Sequence, residues 1–329
     1  MPLYKGAAIA YCEGLKYITK NMAEAKPTML LAVPAIYEAL YKRIWRTAKK
    51  EGKDATLRRA IALNRQLKKI HVDLSKRLFK SVTDVFGGRM RCMISGGASI
   101  DPKVLNFIQD LGIIGVQGYG LTECAPMGAL NPDTAAVASS CGRRFPATDI
   151  RIHAPNEQGV GEIWLTGGNV MMGYYENEEA TKEAITDGWF HTGDLGYLDE
   201  QGYCYITGRA KNLILSKNGE NISPEELEYL LGLSPYVAES MVFQDRNFDD
   251  DDDIICAAIY PDMEEVEDAL GKSPEPAAVE ELLWGEIDRI NADLPIWKRI
   301  KKMVIRTEPF IKNTSNKIIR FEERNRREQ

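Results

Sequence analysis

Two short segments of the chain combine small residues with side chains that can hold a ligand. The first is Ser95-Gly-Gly-Ala-Ser99, and the second is Gly118-Tyr-Gly-Leu-Thr-Glu123, which carries an aromatic ring, a hydroxyl and a carboxylate close together. An aromatic ring can stack on a flat ligand, and a carboxylate oxygen is a ligand that Mg²⁺ prefers. Glycine lets the backbone approach a ligand closely, although it fits a tight turn equally well. Both segments are therefore candidates for a ligand site.

Four further segments place charged residues beside small or turn-forming ones. They are Thr192-Gly-Asp194, Gly208-Arg-Ala-Lys211, Gly219-Glu-Asn-Ile-Ser-Pro-Glu-Glu-Leu-Glu228 and Thr314-Ser-Asn-Lys-Ile-Ile-Arg320. Taken alone, each has an ordinary explanation, because an aspartate in a turn often caps the local backbone and a lysine is usually solvated. What these residues do depends on the elements that position them.

The apolar runs before the two Gly-rich segments predict strands of a parallel sheet. A similar run over 27–34 lies between two prolines and predicts another buried strand, which a helix from Ala35 to about Lys50 follows. Ligands bind at such sheets where strands end in Gly-rich turns. We therefore predict an α/β fold, with a parallel α/β subdomain over residues 1–148 that forms part of a larger domain.

The remaining sequence predicts two further units. Residues 149–208 contain short alternating strands separated by Gly, Asn and Asp turns, which indicates a small antiparallel β subdomain. In 209–329, Ser223 as N-cap, Pro224 and Glu226 predict the start of a helix, and two strands, a second helix from Pro276 and a last strand follow. This pattern predicts a compact α+β domain, in which the acidic run 249–253 is a solvated loop.

Composition excludes several classes of function. The chain has 42 Lys and Arg against 48 Asp and Glu, a net charge of −6 that argues against a nucleic-acid-binding surface. The six cysteines are scattered without a CxxC pair, so neither a zinc site nor a disulfide framework is predicted, and a reducing cytoplasm fits best. No apolar run approaches the roughly 18 residues of a transmembrane helix. The sequence predicts a soluble protein of more than one domain.

One region departs from the acidic average. Between 57 and 85, apolar residues recur at helical spacing among many Lys and Arg, which predicts one or two amphipathic helices with a basic outer face. A solvated helix face explains this pattern. An alternative is weak, peripheral attraction to an anionic membrane surface.

Together, and in this order, the motifs resemble those of the adenylate-forming superfamily of acyl- and aryl-CoA synthetases. The resemblance also includes Gly161-Glu-Ile-Trp-Leu and Gly173-Tyr-Tyr, so it extends over nearly the whole chain. Pro2-Leu-Tyr-Lys-Gly-Ala and Val33-Pro-Ala-Ile-Tyr-Glu38 are most similar to the long-chain fatty acyl-CoA synthetases. The resemblance implies that a fatty acid attacks the α-phosphate of Mg-ATP to give an acyl-adenylate, from which coenzyme A displaces AMP.

The resemblance also implies a nucleotide site. Its residues are expected to be Gly97, Ala98, Gly118, Tyr119, Gly120, Thr122, Asp194 and Arg209. Tyr119 would stack on adenine, Thr122 would contact an α-phosphate oxygen, and Glu123 would hold Mg²⁺. Asp194 would accept hydrogen bonds from the ribose hydroxyls, and Arg209 would contact the ribose or a phosphate.

The family's mobile C-terminal domain implies the remaining roles. Lys317 is expected to orient the attacking carboxylate and the α-phosphate, so with Thr122 and Glu123 it is a predicted catalytic residue. Lys211 matches the hinge position between the two domains. For the second step, the loop Lys217-Asn-Gly219-Glu220 would replace the Lys317 loop and bind coenzyme A. Asn316 stands where the family usually has Gly, and Asn tolerates the same left-handed conformation.

A further family element, a Ser/Thr/Gly-rich phosphate loop ending in Pro-Lys, does not occur in this sequence. We expect the chain to represent the C-terminal part of such an enzyme and to be inactive alone. Alternatives within the superfamily are an aryl-CoA ligase, a fatty acyl-AMP ligase or a peptide-synthetase adenylation domain. A non-catalytic module that keeps the fold is a further alternative. The sequence leaves the acyl chain length and the oligomeric state open.

Overall fold

The computed structural model describes residues 3–14, 17–216, 220–246, 253–313 and 317–326. The chain divides into two compact units, Met1–Thr192 with Tyr197–Ile206, and Gly193–Gly196 with Thr207–Gln329. The predicted boundaries after residues 148 and 208 remain predictions. Most of the acidic run, up to residue 252, lies outside the described residues.

Six helices of the first unit lie along the chain before or between the first three strands of its first sheet. They are α1 (Ile18–Ala25), α2 (Pro34–Lys50), α3 (Asp54–Lys69), α4 (Ser75–Leu78), α5 (Lys80–Thr83) and α6 (Pro102–Asp110). Both α2 and α6 begin with proline at the first helical position, where its missing N–H costs nothing. The Asp101 carboxylate caps α6 by accepting the Lys103 N–H at 2.7 Å. The predicted helix from Ala35 to Lys50 is confirmed.

The first sheet has the strand order β1-β2-β3-β4-β5. Its strands are β1 (Met29–Ala32), β2 (Cys92–Ser95), β3 (Ile114–Tyr119), β4 (Ala129–Leu130) and β5 (Arg143–Arg144). The first three are parallel, as predicted, and β4 and β5 add antiparallel pairs. The prediction that 27–34 is a buried strand is wrong in part. Because β1 ends the sheet order, Leu31 is 67% exposed.

A second sheet has the order β10-β9-β7-β6, with β8 paired to β9. Its elements, with one short helix, are β6 (Thr148–His153), β7 (Gly161–Gly167), α7 (Glu178–Ala184), β8 (Ile185–Thr186), β9 (Trp189–Leu198) and β10 (Cys204–Arg209). The pairs β6/β7 and β8/β9 are antiparallel, as the turn-rich sequence predicted. Sequence reasoning missed β9, because its glycines and aspartate are typical of turns. The division between the two units falls within β9 and β10.

The second unit packs helices against a three-stranded sheet of order β13-β14-β15. Its elements are β11 (Ile214–Leu215), β12 (Asn221–Ile222), α8 (Pro224–Gly232), β13 (Val237–Arg246), β14 (Asp253–Pro261), α9 (Met263–Leu270), α10 (Pro276–Ala292) and β15 (Lys302–Ile305). Strands β13 and β14 are antiparallel, and β14 and β15 are parallel. Leu227, Leu283 and Ile259 are fully buried between the layers. The mixed α/β fold class agrees with the prediction, and only α9 was missed among these helices.

The predicted start of α8 is confirmed at Pro224, but the predicted capping hydrogen bond is absent. Ser223 Oγ donates instead to Thr207 O at 2.6 Å, because strand β10 ends beside it. Glu226, the expected capping-box partner, pairs with Lys298 at 2.5 Å. Over the described residues, no helix combines the length and apolar character needed to cross a membrane.

Candidate functional site

The two Gly-rich segments meet at the carboxyl end of adjacent parallel strands. Ser95 of β2 pairs in register with Gln117 of β3, so the turns that follow both strands emerge side by side. A Cβ built at Gly96 would lie 3.9 Å from Gly118 O, which shows how close the two segments come. Gly97 has a φ of +87° and is exposed, as is Ala98. Because the carboxyl ends of parallel strands lie at the same edge of a sheet, the turns that follow them lie side by side there. Ligands bind at such edges.

Gln117, on strand β3, links this strand to the segment that follows β2. Its side chain is buried, its Nε2 donates to Ser140 O at 2.8 Å, and its Oε1 accepts the Ile100 N–H at 3.4 Å. One amide therefore fixes the segment after β2 to the strand that carries Tyr119. A buried amide with partners on both sides holds the backbone in one arrangement. Sequence reasoning assigned no role to Gln117.

Gly120 owes its identity to packing within the protein. A Cβ at this position would lie 1.6 Å from the carbonyl oxygen of Pro126, a backbone atom that cannot move aside cheaply. At Gly118 the nearest atoms to a built Cβ lie at 3.0 to 3.2 Å, which is tight but less severe. The close approach of a nucleotide, which the sequence suggested for both glycines, remains a prediction.

Thr122 and Glu123 lie in a short 3-10 turn, Thr122–Cys124, directly after the strand end. Glu123 is half-buried, and its Oε1 accepts a hydrogen bond from the Tyr174 hydroxyl at 3.2 Å. Partial burial and the neighbouring Glu123 carboxylate raise the pKa of Tyr174 above its ordinary value, so this phenol remains a donor. The Met171 N–H also donates to Glu123 O at 2.7 Å.

Tyr174 was therefore a functional candidate that sequence reasoning missed, although the Gly173-Tyr-Tyr motif pointed to it. A second is Asn169, whose Nδ2 donates to Cys124 O at 2.7 Å and to Met127 O at 2.8 Å. These two bonds hold the turn that carries Glu123. Burial first, and Glu123 second, raise the pKa of the Cys124 thiol to about 11, so Cys124 stays protonated.

Tyr119 is 7% exposed and lies in an apolar cluster. Its neighbours there include Cys124, Ala129, Ile163 and Leu165. This is the surrounding expected for a tyrosine that packs in a core, the ordinary alternative to a stacking role. The stacking of this ring on adenine remains a prediction.

In the second unit, Asp194 and Arg209 form an ion pair. Arg209 Nε lies 2.5 Å from Asp194 Oδ1, with Asp194 almost fully buried and Arg209 partly exposed. Asp194 lies within strand β9, not in the turn that its sequence suggested, because the strand pairs with β7 and β10. Such a charge-assisted pair fixes the orientation of both side chains.

The predicted hinge residue, Lys211, lies exposed in a 3-10 turn over Ala210–Asn212. Asn212 Nδ2 donates to Glu225 Oε1 at 2.6 Å, which ties this turn to the first turn of α8. A Cβ at Gly208, three residues before Lys211, would lie 2.2 Å from Ser223 Oγ, so a larger residue there would displace the Ser223 hydroxyl. Whether the backbone rotates at Lys211 remains a prediction.

Lys317 is exposed and is the first residue of the second of two short antiparallel segments, 311–313 and 317–319. Its N–H donates to Asn313 Oδ1 at 2.9 Å, and the Asn313 N–H donates to Lys317 O at 2.9 Å. Arg320 anchors the following residues by pairing with Glu228 of α8 and donating to Val242 O at 3.2 Å. These contacts present the Lys317 side chain to solvent from a fixed backbone.

Asn325 is hydrogen-bonded to both of these segments. Sequence reasoning assigned no role to it. It is fully buried, its Nδ2 donates to Ile311 O and Ile319 O, both at 3.0 Å, and its Oδ1 accepts the Ile311 N–H at 2.8 Å. Of the predicted coenzyme A residues, Lys217 and Gly219 lie outside the described residues. Glu220 is exposed, and its N–H donates to Ser216 Oγ at 3.0 Å.

The structure thus brings Gly97, Ala98 and the Gly118–Glu123 segment together in the first unit. Asp194, Arg209, Lys211, Glu220 and Lys317 all belong to the second unit. Within each unit, amide side chains without a predicted role, Gln117 and Asn169 in the first and Asn325 in the second, hydrogen-bond to backbone groups near these residues in the sequence.

Several known proteins are similar to this chain in sequence or in fold. The family described as AMP-binding enzyme matches residues 1–175. The chain is similar to the long-chain-fatty-acid–CoA ligase FadD15 of Mycobacterium bovis, with 30% identity over 254 residues that cover 72% of this chain and 41% of FadD15. The chain therefore spans less than half the length of this relative.

Solved structures share the fold. One is the anthranilate CoA ligase AuaEII in complex with anthranoyl-AMP, with a TM-score of 0.72 and 19% identity, covering 99% of this chain and 56% of that one. Another is ATP-bound MatB from Rhodopseudomonas palustris, with a TM-score of 0.70, 25% identity and coverage of 99% and 56%. At 19% identity the AuaEII likeness concerns the fold alone.

Proposed function

Since the chain belongs to the AMP-binding enzyme family, we propose that it forms the C-terminal part of an ATP-dependent acyl-CoA synthetase. The substrate class we propose is a long-chain fatty acid, in keeping with the FadD15 similarity. The observation that carries the proposal is the Gly118–Glu123 segment at a strand end, with the Glu123 carboxylate oriented by Tyr174. A strand end that opens into small residues is where an α/β sheet binds a nucleotide.

In the proposed first step, Lys317 acts on the reacting groups. Its ammonium would orient the fatty-acid carboxylate against the α-phosphate and offset the negative charge that grows in the transition state. Thr122 would donate its hydroxyl to an α-phosphate oxygen. Asp194 and Arg209, already oriented by their ion pair, would receive the ribose. Lys217, Gly219 and Glu220 would bind coenzyme A in the second step, after a rotation at Lys211.

The Glu123 carboxylate has the properties of a magnesium ligand. It offers a hard carboxylate oxygen, it is half-buried, and the Tyr174 hydroxyl fixes its orientation at 3.2 Å. When bound, Mg²⁺ would neutralise phosphate charge on ATP.

The first experiment uses the protein encoded by the complete open reading frame in which the chain occurs. It measures both reaction products, the acyl-adenylate and the acyl-CoA. The protein is supplied with ATP, Mg²⁺ and coenzyme A, together with a panel of long-chain fatty acids and aromatic acids. We expect acyl-adenylate and acyl-CoA with the fatty acids. Activity with aromatic acids only would indicate an aryl-CoA ligase, and adenylate without thioester would indicate an acyl-AMP ligase. Absence of pyrophosphate release with every acid would reject a synthetase.

A matched pair of variants tests the catalytic assignment. Lys317→Ala is expected to slow adenylation by about 100-fold or more, the usual effect of removing one transition-state donor. Lys272→Ala removes another exposed lysine of the same unit and should leave the rate unchanged. The isolated chain of 329 residues is expected not to sustain pyrophosphate release from ATP and palmitate. Equal effects of the two substitutions would contradict the role of Lys317.

A further inference from the structure

Residues 59–78 reverse the usual distribution of polar and apolar side chains. Asn64 and Ser75 are each 1% exposed, whereas Ile70 is 67% exposed. The exposed apolar side chains of this segment are Leu63, Ile70, Val72, Leu74 and Leu78. Single exposed apolar residues are normal on a protein surface, but five within one short segment indicate an interaction site.

The buried polar residues explain how the apolar ones are held outward. Asn64 Nδ2 donates to Ser75 Oγ at 2.8 Å, and Asn64 Oδ1 accepts the Leu74 N–H at 3.0 Å. These bonds fold the start of α4 back against α3. Arg65 Nε and Nη2 then pair with the Asp110 carboxylate at 2.7 and 2.6 Å, which fastens α3 to α6. The outward side chains are therefore presented by a fixed backbone.

Helix α3 carries an outer stripe that Ile70, the residue directly after the helix, extends. Arg59, Leu63 and Gln66 follow one another at spacings of four and three, so they lie along one face of the helix, and Ile70 follows Gln66 by four residues. Ile61 and Asn64 lie on the opposite face and are buried. The stripe thus presents one basic, one polar and two apolar side chains to solvent.

The charge of the segment is opposite to that of the chain. Between Arg58 and Lys80 there are eight Lys and Arg and one acidic residue, Asp73, although the whole chain carries −6. Arg59, Lys69, Lys76 and Arg77 are exposed. A nucleic acid would use this charge but not the interleaved leucine and isoleucine side chains. An anionic lipid bilayer uses both, because its headgroups attract cations and its acyl boundary accepts apolar side chains.

We propose that residues 59–80, the basic–apolar surface, dock this protein onto an anionic phospholipid bilayer. Arg59, Lys69, Lys76 and Arg77 bind lipid headgroups. Leu63 and Ile70 enter the boundary of the acyl region, about 5–10 Å deep as in interfacial helices. The inference goes beyond the proposed ligase activity and does not depend on it.

Vesicle co-sedimentation of the full chain tests the proposal without any enzymatic readout. The vesicles contain phosphatidylcholine alone or phosphatidylcholine with phosphatidylserine. We expect binding only to the anionic vesicles, with weaker binding as salt is raised. A charge variant, Lys69→Gln with Lys76→Gln and Arg77→Gln, should lower the partition coefficient by about 100-fold, since each cation near the surface contributes about a factor of five.

An apolar variant and a control complete the test. Leu63→Ser with Ile70→Ser should lower the partition coefficient at least about tenfold, and circular dichroism should show that the fold is kept. Lys103→Gln with Met172→Ser changes one exposed basic and one exposed apolar residue elsewhere and should bind like the wild type.

Three results would overturn the proposal. The first is a wild-type chain that does not bind anionic vesicles. The second is an apolar variant that binds as well as the wild type, which would reduce the surface to a general polyanion site. The third is binding that survives both variants, which would place the contact elsewhere on the molecule.

Discussion

Replacing Asn325 by alanine tests whether one buried amide positions the segment that carries Lys317. The Asn325 side chain makes three hydrogen bonds, all to the backbone of Ile311 and Ile319, and the residue is fully buried. Alanine removes all three bonds and leaves part-buried backbone groups of Ile311 and Ile319 without that partner. Each bond contributes about 1 kcal/mol net, so the contacts at the base of segments 311–313 and 317–319 weaken by about 3 kcal/mol.

The expected consequence is local opening. A loss of about 3 kcal/mol makes opening about 100-fold more frequent, and amide hydrogen exchange should accelerate by that factor at Asn313 and Lys317. Both amides are hydrogen-bonded in the closed arrangement, at 2.9 Å. In the complete protein the variant should also slow adenylation, which is proposed to need Lys317. Thioester formation from a supplied acyl-adenylate should remain close to the wild-type rate.

Asn291→Ala is the matched control. The Asn291 side chain is hydrogen-bonded to a different backbone segment of the same unit. It donates to Ile300 O and accepts the Ile300 N–H, both at 2.9 Å. It should lower the melting temperature without accelerating exchange at Asn313 or Lys317. If both variants accelerate exchange there equally, or if neither does, Asn325 does not position this segment. A wild-type protein inactive in both steps would reject the proposed function and leave the exchange result standing.

Two further substitutions test the packing and electrostatics of the described structure. Burial, and secondly the negative charge of Asp101, raise the pKa of the Glu38 carboxyl above its ordinary value. The unfolded chain therefore loses this proton at a lower pH than the folded chain does. As the pH rises from the ordinary pKa through the raised pKa, the folded chain loses stability. Glu38→Gln should therefore raise the melting temperature at pH 8 relative to the wild type and leave it nearly unchanged at pH 4; the opposite pH trend would contradict the shift. Gly120→Ala should destabilise the chain by more than about 2 kcal/mol in urea unfolding, because its Cβ would collide with backbone. Gly285→Ala, in the exposed face of α10 with nothing within 4 Å of the new Cβ, should stabilise it by up to about 1 kcal/mol, and a similar loss at both positions would refute the packing argument.

Local pattern predicted the elements whose signals lie within a few residues. The apolar runs gave β2 and β3, and the proline at the first helical position gave the start of α8 at Pro224. Strand β9 was missed because residues of low strand propensity, two glycines and Asp194, interrupt it. Its pairing with β7 and β10 outweighs that propensity, since strand preference depends strongly on the neighbouring strands.

The sequence by itself determined which chemical groups this protein offers and in what order, and from that order its family. Only the tertiary structure decided which residues hold those groups. Tyr174 reaches Glu123 across 51 positions of the chain, and Asn325 reaches Ile311 across 14. Such contacts leave no periodic or local mark in a sequence, because they depend on how strands and turns pack once the backbone has folded. Short motifs in the sequence therefore predict the chemical groups of the site. The geometry of those groups depends on contacts between residues that are far apart in the sequence.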